Sequence, residues 1–157
     1  ARSAETRLHF RGTYGTALRG LMEEGYPVNL DDYFQFVHDI PLDTIGPSPR
    51  LHRRLMALPL RRAILTNSNV EHAQRILRHM RIDDCFERII DIKALQFVNK
   101  PDPEAYRRTL SMLGVSARRI LTIVIDHPLD AGADYAVADL DSALDLIERL
   151  VQFPSAV

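Results

Sequence analysis

Two short segments of this sequence combine residue types suited to holding an anion. Leu65-Thr66-Asn67-Ser68 closes the apolar run Ala63-Ile64-Leu65. It sets a hydroxyl and several backbone amides where a strand would turn into a helix. The unpaired N–H groups and the dipole of a helix start favour phosphate or carboxylate there. The same residues, Thr66 to Asn69, also serve simply as helix caps. The second segment is Phe97-Val98-Asn99-Lys100-Pro101-Asp102-Pro103. Lys100 stands between an extended stretch and a proline that keeps its predecessor out of the helical region. A lysine on so stiff a loop can neutralise a phosphate and the charge that develops during its transfer, although a solvated surface position is the commoner fate of a lone lysine.

Other candidates have plainer explanations. Asp126 and Asp130 follow the apolar run Ile120 to Ile125, and carboxylates four apart after a strand resemble metal ligands. His127 lies between them and also suits a turn. His38, next to Asp39 in Phe36-Val37-His38-Asp39, is expected to end a helix with a hydrogen bond to Asp39, and no catalytic role is assigned to it. Tyr14 and Phe34 could stack on a base, but core packing is the expectation. Cys85 is the single cysteine. It excludes an intramolecular disulfide and a cysteine zinc site, fits a reducing cytoplasm, and reads as a small buried core residue.

The elements that must position these groups follow from periodicity. Residues 4–24 read as one amphipathic helix through Leu8, Tyr14, Leu18, Leu21 and Met22, weakened by Gly12, Gly15 and Gly20. Gly25-Tyr26-Pro27 ends it. Asp31 or Asp32 starts a second helix carrying Tyr33, Phe34 and Val37. Pro41, Gly46, Pro47 and Pro49 punctuate a connector, and a short helix runs from about Arg50 to Ala57. From Arg62 the character changes. Ala63-Ile64-Leu65 is a buried parallel strand; Val70, Ala73, Ile76, Leu77 and Met80 mark a helix face; Arg88 to Ile92 is a second strand. Asp102 caps a helix with Pro103 at its first position, and Gly114 ends it. Ile120 to Ile125 is the strongest strand signal. Leu140, Leu144, Ile147 and Val151 form the closing helix. The expected architecture is α/β: a Rossmann-like parallel sheet with helices on both faces, over residues 51–157, plus a small helical cap over residues 1–50. Chemistry in such folds lies at the carboxyl ends of the strands, where Thr66 and Lys100 fall.

Composition narrows the function. At 46% hydrophobic and 26% charged over 157 residues, the chain has the apolar content for a real core. A formal net charge of -1, with arginine pairs scattered at element ends, argues against a nucleic-acid polymer as partner. No apolar run approaches the ~20 residues of a membrane span, and the polar start shows no signal peptide. A cytoplasmic location is expected.

Taken together, the strand, Thr66-Asn67, helix, strand and Asn99-Lys100-Pro101-Asp102-Pro103-Glu104-Ala105-Tyr106 resemble the second and third motifs of the haloacid dehalogenase superfamily. Tyr14-Gly15-Thr16-Ala17-Leu18-Arg19-Gly20-Leu21 and Tyr33 to Asp39 resemble the helical cap of its pyrimidine 5′-nucleotidase-like branch. The resemblance runs from about residue 7 to 113 and returns in the tail. It implies a Mg2+-dependent phosphomonoesterase acting on a small phosphorylated metabolite, with pyrimidine nucleoside monophosphates as one such class. In that family a first strand ends in Asp-x-Asp and supplies the nucleophile and the general acid and base. Thr66 corresponds to the hydroxyl that holds the phosphoryl group, with Asn67 beside it. Lys100 corresponds to the lysine that stabilises the phosphoaspartate, and acidic residues after a fourth strand hold the magnesium.

The sequence departs from that pattern twice. No strand ending in Asp-x-Asp precedes residue 62, so the nucleophile is expected in an N-terminal segment outside these 157 residues. In addition, Ala133 to Leu140 resembles the family's tail, which implies that a helix and a strand edge have dropped out near Leu121-Thr122, and the metal motif with them. Asp126 and Asp130 are metal ligands only under the other alignment. Three functions follow from the resemblance: a phosphatase whose nucleophile lies elsewhere, a non-catalytic relic that keeps a phosphate pocket as a binding or scaffold protein, and dehalogenase chemistry on the same fold.

Overall fold

A computed structural model describes residues 2–117, 120, 123–125 and 134–152. The N-terminal part is helical. The helix expected over residues 4–24 is two helices, α1 (Arg2–Tyr14) and α2 (Ala17–Glu23). Gly15 breaks them with a left-handed φ of 80°, a conformation glycine adopts without steric cost. Thr16 then caps α2, its side chain accepting from the Arg19 amide. Gly20 is retained inside α2 because Phe10 of α1 lies against it. A Cβ there would sit 2.4 Å from the Phe10 ring, so any side chain would push the two helices apart. Helix α3 (Leu30–His38) starts from Asn29, whose side chain accepts from the Asp31 and Asp32 amides. The two aspartates sit in the first turn, where they favour the helix dipole without capping it.

Helix α4 (Pro49–Ala57) is capped by Ser48, with proline at its first position. Strand β1 (Ala63–Leu65), helix α5 (Val70–Met80), a 3-10 turn (Asp83–Cys85), strand β2 (Arg88–Ile90) and helix α6 (Pro103–Leu113) follow. β1 and β2 are parallel, with Ile64 opposite Ile89 and Leu65 opposite Ile90. Alternation along a strand sends successive side chains to opposite faces, and each face here has its own core. Ile64 and Ile89 pack with Leu77, Ile82 and Cys85 beneath α4 and α5. Leu65 and Ile90 pack with Leu95, Ala105 and Met112 beneath α6. Helices therefore cover both faces of this strand pair. Cys85 is buried in the first of these cores, as a small apolar residue would be.

Strands β3 (Ile123–Ile125) and β4 (Tyr135–Val137) form a second parallel pair, followed by α7 (Leu140–Gln152). The strand expected over Ile120 to Ile125 is shorter in its described part. Ile120 lies in a turn, its amide bonded to the Ala117 carbonyl, and Leu121 and Thr122 fall outside the described residues, as do Asp126, His127 and Asp130. Arg54 of α4 reaches across to α7 and bonds Asp141, Asp145 and Glu148. The N-terminal helices rest on the loop after β2 through Leu18, Phe34 and Ile92. Among the described residues no helix is long and apolar enough to cross a membrane.

Candidate functional site

The loops leaving β1 and β2 meet at the carboxyl end of the strand pair. The Thr66 amide extends the ladder by donating to the Ile90 carbonyl, and the Ile92 amide donates back to Ser68. The first loop thus stays against the second until α5 begins. Thr66 folds its hydroxyl oxygen over the turn, where it accepts from the Ser68 amide at 3.0 Å. Its own proton is left to donate outward. The cap of α5 comes from across the sheet. Asn69 precedes the helix but makes no capping bond with its side chain. Instead Asp91, buried after β2, accepts from the Val70 amide at 3.1 Å and from the Ala94 amide at 2.8 Å.

Lys100 is delivered to the same place by a tight loop. Gln96 and Phe97 both take left-handed φ values, 52° and 60°, uncommon for non-glycine residues and unusual for a bulky one. Arg108 of α6 steadies that turn by donating to the Leu95 carbonyl and the Gln96 side chain. The Lys100–Pro101 peptide is cis. Asn67 then clamps the lysine's backbone: its Oδ1 accepts from the Lys100 amide at 2.8 Å and its Nδ2 donates to the Lys100 carbonyl at 3.0 Å. The Lys100 ammonium reaches back to donate to the Leu65 carbonyl at 2.8 Å. Burial pushes its pKa below the usual lysine range. An ammonium has three N–H donors, so this one is anchored at the strand end with donors left for an anion.

The structure therefore brings Lys100 to Thr66 and Asn67, from which it lies 33 or more positions away in sequence. It differs in what Asn67 does: both ends of its amide engage the lysine loop, so it sets the position of Lys100. Asp102 caps α6 as expected, its Oδ1 accepting from the Glu104 amide at 2.9 Å.

Three participants were not evident in the sequence. Asp91 is one; its position directly after a strand was the available signal. Asn99 is another. It is 3% exposed, its Nδ2 donates to the Lys100 carbonyl, and its Oδ1 is buried with no hydrogen-bond partner. Gly15 presses on it so closely that a Cβ would lie 2.5 Å from Nδ2. The third is His72, which no local pattern links to His38. His38 makes no bond to Asp39, contrary to expectation. It stacks on His72 with ring centroids 3.8 Å apart and on Phe34 at 5.7 Å. Burial lowers the pKa of both histidines, and for His38 the neighbouring His72 adds to the effect. Phe34 is a core residue, packed with Leu18 and Ile92. Tyr14 packs edge-on against Phe10 and donates its hydroxyl to Glu24. A cavity of about 500 Å3 opens between α3 and α5, lined among others by Phe34, His38, Asn69, His72 and Lys93. Thr66 and Lys100 do not line it; Asn69 lies on their loop and borders both.

Comparison with known proteins places this arrangement. The family model of haloacid dehalogenase-like hydrolases matches residues 48–123, which include Thr66, Asn67 and Lys100. Over that stretch the chain is similar to the haloacid dehalogenase-like hydrolases. Two solved structures share the haloacid dehalogenase fold. One is L-2-haloacid dehalogenase RSc1362, at 18% identity and a TM-score of 0.55, with 84% of this chain and 69% of that one covered. The other is L-2-haloacid dehalogenase from Xanthobacter autotrophicus, with chloropropionic acid covalently bound, at 24% identity and a TM-score of 0.51. The match to it covers 90% of this chain and 59% of that enzyme.

A magnesium site needs several oxygen ligands. Asp91 alone does not offer them, and each of its oxygens already accepts a backbone amide, Val70 or Ala94. Among the described residues no carboxylate cluster fits Mg2+.

Proposed function

We propose that this chain is the larger part of a hydrolase that cleaves small phosphomonoesters with Mg2+, in the cytoplasm. The helices before residue 50 would act as a cap over the substrate, and the aspartate nucleophile would lie outside residues 1–157. The observation that carries the reading is the Lys100 ammonium, fixed on the Leu65 carbonyl with its backbone clamped by Asn67. A half-buried cation with unfilled donors beside the Thr66 hydroxyl suits a phosphoryl group. The lysine and hydroxyl would hold that group while a carboxylate attacks it, and the lysine would offset the repulsion between two anions.

A second reading is favoured by the two solved structures, both named L-2-haloacid dehalogenases. A halocarboxylate is also an anion, and the same cation would bind it. One assay separates the readings. The purified protein, its mass first compared with the 17.9 kDa of these 157 residues, is offered phosphomonoesters and 2-haloacids with and without Mg2+. Mg2+-dependent phosphate release that Lys100→Ala abolishes supports the phosphatase. Halide release without phosphate release replaces it with the dehalogenase. Neither activity, with phosphate binding retained, leaves the non-catalytic binding protein.

A further inference from the structure

Away from the strand ends, three side chains of different chemistry converge where α4 meets the 3-10 turn. His52 Nε2 lies 3.0 Å from each carboxylate oxygen of Asp84. The Cys85 sulfur lies 3.8 Å from Asp84 Oδ1. One ligand atom from each residue falls within 4.8 Å of the others. We propose that His52, Asp84 and Cys85 form a binding site for a thiophilic divalent cation of the zinc type.

The distances suit the ion. Bonds of about 2.0–2.3 Å in a tetrahedral arrangement put zinc ligand atoms about 3.3–3.6 Å apart. The present spacings straddle that range, so small side-chain rotations admit the metal. The donor set is one imidazole nitrogen, one carboxylate oxygen and one thiolate, which suits zinc and cobalt and is too soft for magnesium or calcium. The fourth position faces water, because the Asp84 side chain is 64% exposed while Cys85 is buried. The sequence excludes a site built of several cysteines, not a mixed one. The backbone behind the ligands is firm: Leu51 and Leu55 of α4 pack on the core that holds Cys85, and the Cys85 amide is bonded to Ile82.

Protons balance simply. Asp84 is already a carboxylate, with the His52 hydrogen bond holding its pKa down. Neutral His52 binds through Nε2 after its proton moves to Nδ1. Only the thiol must ionise, so each ion bound releases one proton to solvent, two where His52 is charged. Because binding releases that proton, affinity falls as pH falls. The bound core, two positive charges against a carboxylate and a thiolate, is neutral.

The probe is cobalt(II) titrated into the purified, chelator-treated protein. Since Cys85 is the only cysteine, any thiolate-to-cobalt charge-transfer absorption reports on it alone. The expected result is that band, with tetrahedral visible bands, saturating at one cobalt per chain and displaced by zinc. His52→Gln and Asp84→Asn alter a partly exposed and an exposed side chain and leave the core intact, as circular dichroism would verify. Each should weaken cobalt binding by at least about tenfold, the lower end of the loss seen even for residues behind a ligand. Absence of the charge-transfer band overturns the proposal. So does a band unchanged in both variants, which marks a lone thiol, or saturation at one cobalt per two chains, which marks a bridge between molecules.

Discussion

Replacing Asp91 with alanine removes the carboxylate that caps α5 and with it two hydrogen bonds, to the Val70 amide at 3.1 Å and the Ala94 amide at 2.8 Å. The residue is 6% exposed, so water cannot readily replace it. A hydrogen bond to a charged group contributes about 1.5–3 kcal/mol. The two together bound the loss at about 3–6 kcal/mol, and partial relaxation of the loop brings the expected cost to about 3–4 kcal/mol. That is a large share of the roughly 5–15 kcal/mol that holds a domain together. In a chain of this size it corresponds to a melting point lowered by about 6–16 °C, at about 2–4 °C per kcal/mol. Asp91→Asn keeps one acceptor but turns an N–H toward an N–H, so it should cost about half as much. Urea denaturation followed by circular dichroism measures both variants, and hydrogen exchange of the Val70 and Ala94 amides shows whether the loss is local. An alanine variant within about 1 kcal/mol of the parent would refute the assignment of Asp91 as the cap that joins the two loops.

Two further outcomes follow from the structure. Gly15→Ala forces a side chain into a left-handed φ of 80° and against Asn99; the conformational cost alone is about 1–2 kcal/mol, and the contact adds to it, so a thermal melt should show a drop of several degrees, whereas Gly12→Ala, with open space around it, should stabilise. The stacked His38 and His72 both titrate below their ordinary value of 6.5. In the range below about pH 6.5 the unfolded chain binds protons that the folded chain refuses, so stability is fully present above that pH and falls as the pH drops toward the folded values. Urea melts at about pH 7.5 and about pH 5.5 should show this loss, and His72→Phe should reduce it; a parent protein equally stable at both would contradict the neutral stack. The charged groups facing the pair across the cavity are Asp31, Asp39, Glu71, Arg75 and Lys93.

Much of the fold was legible because the sequence obeys local rules where the chain buries one face. α5 and α6 announce themselves through apolar spacing and, for α6, through Asp102-Pro103 at one end and Gly114 at the other. β1 was evident as an apolar run between polar flanks. The break at Gly15 was not, since apolar periodicity continues across it from Tyr14 to Leu18; only the left-handed turn, a backbone property, separates α1 from α2. β4 was missed because three residues between Asp134 and Asp139 are too short for an alternation to register. At the site, Thr66 and Lys100 were found by motif and chain order. Asp91, Asn99 and His72 were not, because each acts on a partner brought near only by folding: an amide across the sheet, a glycine in the N-terminal helices, a ring on α3.

The three bonds from Arg54 to α7 join residues 87 to 94 positions apart. Contacts of such long reach reward the chain only after a large loop has closed, so they belong to the end of assembly. This clasp can shut only once α4 and α7 have both formed and the chain between them has closed. Being ionic, with its three carboxylates partly exposed, the clasp is also open to screening by salt. α7 is thus tied to α4 by a link that forms only after the long stretch between them has closed, and that rising ionic strength weakens.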